Sequence, residues 1–229
     1  MSEEWYKSID FSRNPFRLRT RAFGSDTLLE EIFYTILSGN IMVIEGQKGM
    51  GKTKVLKEAR RKFKRKGKVI YVGSGKIGEG LNIESILKDK RNWLEKLFNL
   101  KPKNMVLLLD DIEHLSARNS ERIKYYYDQN YIRSIVFSTK NFGSLSLSPS
   151  LVHRISRIIS MKPLSDYEAV QLLRAKIGDK LLSDRIVKKI FHLSGKNTLL
   201  FLKNCEEVCK LTVNNTQITE DTVGRLLAK

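Results

Sequence analysis

No stretch of this sequence approaches the length of a membrane-spanning apolar run, and its opening residues, Met-Ser-Glu-Glu-Trp, carry no apolar signal core. No membrane segment is therefore expected, and a cytoplasmic location is. Cysteine is scarce, with only Cys205 and Cys209 in 229 residues. Their spacing of four puts both on one face of a helix, where geometry disfavours a disulfide. No second Cys/His pair lies nearby to complete a zinc site. The two read as small buried apolar residues. Internal repeats and low-complexity tracts are absent. Acidic residues are outnumbered, 25 Asp and Glu against 42 Lys and Arg, for a formal charge of +17. Such an imbalance implies an acidic partner, most simply nucleic acid, although lysine-rich surfaces also serve solubility or growth at high temperature. Glutamine is rare while lysine and isoleucine abound, a composition that suits a thermophile such as an archaeon or one of its viruses.

What is present is a chain with 41% apolar residues, enough for a substantial core. Residues 1 to about 24 interleave aromatic and basic side chains (Trp5, Tyr6, Phe11, Arg13, Phe16, Arg17, Arg19, Arg21) around Asn14-Pro15, and read as an arm. An amphipathic helix is predicted from Asp26 to Leu37. Short apolar runs at 41–45 and 105–109 read as buried strands, and 68–72, 132–138 and 155–161 as three further strands. They alternate with helices at 51–66, 83–100 and 120–129. That order means α/β architecture, a parallel sheet covered on both faces. After Pro163 helical periodicity takes over, at 165–177, 183–194, 197–211 and 219–228, with joints at Gly178, Gly195 and Asn214-Asn215. The expected organisation is an α/β core with its arm at 1–162 and a small all-α domain at 163–229.

The segment Gly46-Gln47-Lys48-Gly49-Met50-Gly51-Lys52-Thr53 matches G-x-x-x-x-G-K-[ST] in the context that gives the match meaning, after a strand and opening a helix. Glycines let backbone N–H groups converge on phosphate oxygens, and the helix N-terminus adds positive potential. Lys52 is expected to reach the β- and γ-phosphates of ATP, and Thr53 to offer its hydroxyl to Mg²⁺. About sixty residues on, the apolar run 105–109 ends in Asp110, the expected second metal-facing group. Asp111 follows where a carboxylate polarises an attacking water; its alternative role is to cap the next turn.

These motifs, taken in order, resemble the AAA+ ATPase superfamily. The resemblance rests on the P-loop, on Asp110-Asp111-Ile112-Glu113-His114-Leu115, and on a strand ending Ser138-Thr139-Lys140-Asn141. It rests further on Pro149-Ser150-Leu151-Val152-His153-Arg154-Ile155 and the helical tail, and it covers nearly the whole chain. Asp110 to Leu115 is similar to the Walker B segment of archaeal origin-recognition ATPases, and Asn14-Pro15-Phe16 is similar to transposon-associated and helicase-loader members. The resemblance implies an ATP phosphohydrolase with a helical lid and the nucleotide between core and lid. It implies a first sensor at Asn141 or Thr139. It also implies an arginine finger acting in a neighbouring subunit, at Arg154 with Arg157 the competing candidate, and hence a homo- or hetero-oligomer. The acidic pair departs from the usual Asp-Glu, which points to slow turnover. Ser194-Gly195-Lys196-Asn197 lacks the second-sensor arginine, leaving Lys196 as its substitute or no second sensor.

The candidates for nucleic-acid contact are Arg61, Lys64 and Arg65 on the basic helix after the P-loop, and Lys76 in the glycine-rich loop 73–80. The sequence after the helical tail leaves no room for an appended winged helix, so contact with the DNA backbone is expected rather than reading of bases. The functional expectation is an ATP-hydrolysing factor that loads, remodels or marks a replication, recombination or transposition complex. The alternative is a nucleotide-dependent switch that binds a protein partner, of unknown identity, with little or no turnover.

Overall fold

The computed structural model describes residues 4–18, 20–64, 68–78, 80–91, 93–98, 100–212 and 218–227. By its contacts the chain separates into two units. One, Ser25–Lys48 with Lys52–Met161, is an α/β unit. The other comprises the described residues of Met1–Gly24, Gly49–Gly51 and Lys162–Lys229.

The α/β unit is built on five parallel strands, β1 (Ile41–Glu45), β2 (Val69–Val72), β3 (Met105–Leu109), β4 (Ile132–Thr139) and β5 (Ile155–Ser160), in the order β2-β3-β4-β1-β5. Successive side chains of a strand face opposite sides of the sheet, so runs without alternation need cover on both faces. Ile41, Val43, Leu107, Leu109, Ile135 and Phe137 form one core with Ile83 and Leu87 of helix α3 (Ile83–Asp89) and Ile123 of helix α5 (Ala117–Asp128). Met42, Ile44, Leu108 and Val136 are fully buried with the opposite parity. Their side of the sheet receives α1 (Asp26–Ser38) and α2 (Lys52–Phe63), which pack on β1, β4 and β2. Strand β5 closes one edge, with Arg157 and Ile158 exposed.

Two local expectations needed correction. The helix predicted over 83–100 is two short ones, α3 and α4 (Trp93–Leu97). Residues 88–91, Lys-Asp-Lys-Arg, offer the core no apolar anchor, and the Arg91 guanidinium instead caps the carbonyls of Lys88 (3.3 Å) and Leu100 (2.9 Å). The helix predicted from Ser120 starts three residues earlier, because the Ser116 hydroxyl accepts from the Asn119 N–H as its N-cap (3.2 Å). A short helix α6, Pro149–Val152, precedes β5.

In the second unit α7 (Asp166–Ile177), α8 (Asp184–Leu193), α9 (Thr198–Thr212) and α10 (Glu220–Leu227) share a core of Leu172, Leu173, Ile190, Phe191, Phe201 and Val208 with both cysteines. Helix α7 opens on a reciprocal capping box, Ser165 with Glu168. The N-terminal arm belongs to this core, with Trp5 only 4% exposed. Its turn at Pro15–Arg17 is tied down twice. Asn14 donates to Glu206 (2.7 Å), and the buried Lys176 ammonium donates to the carbonyls of Pro15, Phe16 and Leu18 (3.2, 3.2 and 2.9 Å). The predicted joint at Asn214-Asn215 lies outside the described residues. Among those residues no helix is long and apolar enough to cross a membrane.

Candidate nucleotide-binding site

The glycine-rich loop joins β1 directly to α2. Gly49 and Gly51 have φ of +92° and +104°, conformations that L side chains rarely adopt. A Cβ on Gly49 would also collide with the Asn197 side chain, while the Leu199 N–H donates to the Gly49 carbonyl (3.0 Å). Lys52, at the first position of α2, is 7% exposed. Its ammonium donates to the carbonyl of Gly46 and to that of Gln47 (3.2 Å), folding back over the loop. Burial holds its pKa below the ordinary lysine value, although Asp111, Glu113 and Asp110 all pull it upward. Gly46, Gln47, Lys48, Gly49, Met50 and Gly51 form the loop itself, and Thr53 lies exposed on the first turn of α2.

Parallel pairing brings the acidic segment to this loop. β4 lies between β1 and β3, with Glu45 opposite Thr139 and Leu109 opposite Phe137, so all three strands end together. Asp110, 3% exposed, is held on both oxygens: Tyr71 of β2 donates to Oδ2 and Ser138 of β4 to Oδ1, each at 2.7 Å. The same Ser138 hydroxyl accepts from the Asp111 N–H (3.0 Å). Burial, then the hydrogen bond to Asp110, raises the Tyr71 phenol well above its ordinary value, so it remains a donor.

Asp111 adopts φ +64°, a left-handed conformation that aspartate tolerates better than most residues. It turns toward Glu113. Burial first, then a hydrogen bond with Glu113 and that residue's charge, pushes the Asp111 carboxyl above the ordinary carboxylate range. Burial also opposes ionisation of Glu113. Hydrogen bonds from Asp111, from backbone amides including that of Lys140, and from Thr139 outweigh it, so Glu113 is the more acidic partner. Glu113 Oε1 accepts from the Lys140 N–H (2.5 Å) and the Thr139 hydroxyl (3.2 Å), which fastens the acidic segment to the end of β4. Glu113 Oε2 is buried with no hydrogen-bonding partner. Of the two sensor candidates, Thr139 is buried between these partners. Asn141 is exposed and caps a short turn, its Oδ1 accepting from the Gly143 N–H (2.8 Å).

Among the described residues no group of three or more His, Cys, Asp or Glu forms a cage for a metal ion. The donors near the loop are nonetheless all oxygens, from Thr53, Asp110, Asp111 and Glu113, with one buried carboxylate oxygen unpartnered. That set fits Mg²⁺, which is characteristically held by one or two carboxylates together with water and substrate phosphates. Thr53 and Asp110 are the groups that would hold it.

The finger candidates lie at the other end of the sheet. Ile155 pairs with Ile41, the first residue of β1, so Arg154 and the P-loop flank opposite ends of adjacent strands. Arg154 pairs with Asp128 (3.2 Å) and Arg157 with Glu31, both on the surface. Lys76 is exposed in a turn just after β2. Arg61 is exposed on α2 and paired with Glu58 (2.9 Å), and Lys64 is exposed just beyond. Arg65 lies outside the described residues. The sequence alone missed Tyr71, Ser138 and Glu113. A tyrosine in a buried strand, a serine in an apolar one and an acid three residues after Asp110 were the available signals.

A family model described as an AAA domain matches residues 38–170, more than half of the sequence. The chain belongs to that family and to the AAA+ superfamily. Several solved structures share its fold. The Holliday junction branch migration motor RuvB of Thermotoga maritima matches with TM-score 0.65 at 16% identity, over 89% of this chain and 68% of that one. Cdc6p of Pyrobaculum aerophilum matches at 0.67 and 17%, over 91% and 66%. The ORC1 protein of Aeropyrum pernix, solved in complex with DNA, matches at 0.66 and 15%, over 92% and 66%. The chain thus spans about two thirds of the length of these proteins. No curated protein matches the sequence.

Proposed function

We propose that the protein is an Mg²⁺-dependent ATPase that assembles on or near DNA to load, remodel or mark a replication, recombination or transposition complex. The observation that carries the enzymatic part is the convergence of Lys52, Asp110 and Asp111 at the shared ends of β1, β3 and β4, where α/β sheets place their ligands. Lys52 takes the β- and γ-phosphates, with the loop N–H groups of Gly46 to Gly51 around them. Thr53 and Asp110 would hold Mg²⁺, which would supply neutralising positive charge. Asp111 orients and deprotonates the attacking water, and Asn141 or Thr139 senses the γ-phosphate from the end of β4.

Arg154 completes a neighbouring subunit's site. A strand of five residues spans roughly 15 Å, so an arginine at the far end of the sheet is poorly placed for its own P-loop and suited to acting in trans. The excess of 42 basic over 25 acidic residues, and likeness to a branch migration motor and to a protein solved with DNA, support a DNA-associated role. Lys76, Arg61, Lys64 and Arg65 are the proposed backbone contacts.

One observation favours the nucleotide switch. The Asp111 carboxyl is engaged in a hydrogen bond with Glu113 rather than free to take a proton from water. Steady-state ATP hydrolysis with and without DNA at two salt concentrations separates the readings, beside Lys52→Ala and Arg154→Ala. DNA-stimulated, salt-sensitive turnover lost in both variants supports the ATPase. Tight ATP binding with negligible turnover under every condition would favour the switch.

A further inference from the structure

We infer that Tyr71 is a positioning residue for the metal-facing carboxylate, acting with Ser138 to fix the plane of Asp110. The inference rests on the nucleotide-site reading above. An ionised carboxylate has about four acceptor positions on its two oxygens. Tyr71 occupies one on Oδ2 and Ser138 one on Oδ1, both at 2.7 Å, which leaves a single free direction on each oxygen. Neither hydroxyl is free to turn away. The Ser138 oxygen already accepts from the Asp111 N–H, so its hydrogen points to Asp110. The Tyr71 phenol faces a carboxylate that can only accept.

The tyrosine is itself anchored. Its strand pairs with β3, Tyr71 opposite Leu108 and Val72 opposite Leu109, so its ring travels with the backbone that carries Asp110. The Asp110 N–H also donates to the Val72 carbonyl (2.9 Å). The Lys57 ammonium of α2 lies 5.7 Å from the ring centroid. Tyr71 therefore touches both the helix that carries Lys52 and Thr53 and the carboxylate expected to share their ion. Partners of this outer kind typically change metal affinity about 10- to 100-fold when removed.

The test is calorimetric binding of ADP to wild type and Tyr71→Phe, first in EDTA and then across a Mg²⁺ titration. Phenylalanine keeps the ring and its packing and deletes only the hydroxyl. The expected result is that the Mg²⁺ concentration giving half of the metal-dependent gain in ADP affinity rises about 10-fold, while ADP affinity in EDTA matches wild type. A variant that was merely misfolded would lose binding in EDTA as well, and Tyr71 would then be structural rather than positioning. An unchanged Mg²⁺ midpoint overturns the inference and leaves the nucleotide-site reading standing. If wild type binds no ADP with or without Mg²⁺, the reading falls and the inference falls with it.

Discussion

Two lysines are buried in this molecule to nearly the same degree, Lys52 at 7% and Lys176 at 8% exposure, one in each unit. Both ammonium groups donate to backbone carbonyls, Lys52 to Gly46 and Gln47, Lys176 to Pro15, Phe16 and Leu18. Their surroundings differ. The carbonyls on Lys52 belong to a glycine-rich loop, and three acids, Asp110, Asp111 and Glu113, act on its charge. The carbonyls on Lys176 belong to a single turn of the N-terminal arm, which it fastens to α7. Burial of a lysine thus marks no site by itself. A loop able to release the ammonium to a phosphate, beside acids that can share a metal ion, distinguishes a binding group from a structural clamp.

The largest expected effect comes from breaking the first of the pair. Lys52→Ala should lower ATP turnover about 1000-fold, the scale for losing a group aimed at developing charge, with a melting temperature at or above wild type because a desolvated cation is removed. A turnover assay beside a thermal melt checks both halves. Lys176→Met should do the reverse. Three carbonyls lose their donor, and stability should fall by about 2–3 kcal/mol, while ADP affinity stays within about twofold at temperatures where the variant remains folded. Denaturant unfolding with an ADP titration decides it, and a Lys176→Met protein as stable as wild type would remove the clamp from the comparison.

A smaller effect separates the basic surface from either buried lysine. If Arg61 and Lys64 contact phosphates, replacing both with alanine should reduce the slope of log K against log salt for DNA binding by about 2. Fluorescence anisotropy at four or more salt concentrations measures it, and an unchanged slope moves the DNA contact elsewhere. The smallest effect concerns the helical unit alone. Burial pushes the Cys209 thiol up to about 12 and holds Cys205 well above its ordinary value. A raised thiol pKa leaves the unreactive neutral form at pH 8, so neither should alkylate in native protein and both should in denaturant, as read by mass spectrometry.

Much of this was legible without coordinates, for identifiable reasons. Ile41 to Glu45 is a β-branched run between glycines, and the strand is found with those bounds. The phosphate loop is legible because backbone geometry demands glycine at fixed spacings, and φ of +92° and +104° at Gly49 and Gly51 is the consequence. The helix at 83–100 misled because helical residues continue through 88–91 while contact with the core does not. Lys176 was legible in principle, since Leu172, Leu173 and Ile177 place it on the apolar face of α7. A long aliphatic stem suits that face, but nothing local names three carbonyls some 160 residues earlier as the place for its charge.

By itself, then, the sequence determined the class of sheet, the phosphate loop, the acid at the end of β3 and the family, since each rests on short-range spacing that one strand or one turn enforces. Only the tertiary structure decided which hydroxyls hold Asp110, that Glu113 fastens the acidic segment to β4, and that Arg154 sits at the far end of the sheet from its own loop. Those facts depend on strand order. Placing β4 between β1 and β3 brings together residues far apart in the chain, and no local preference of the chain encodes which strands become neighbours.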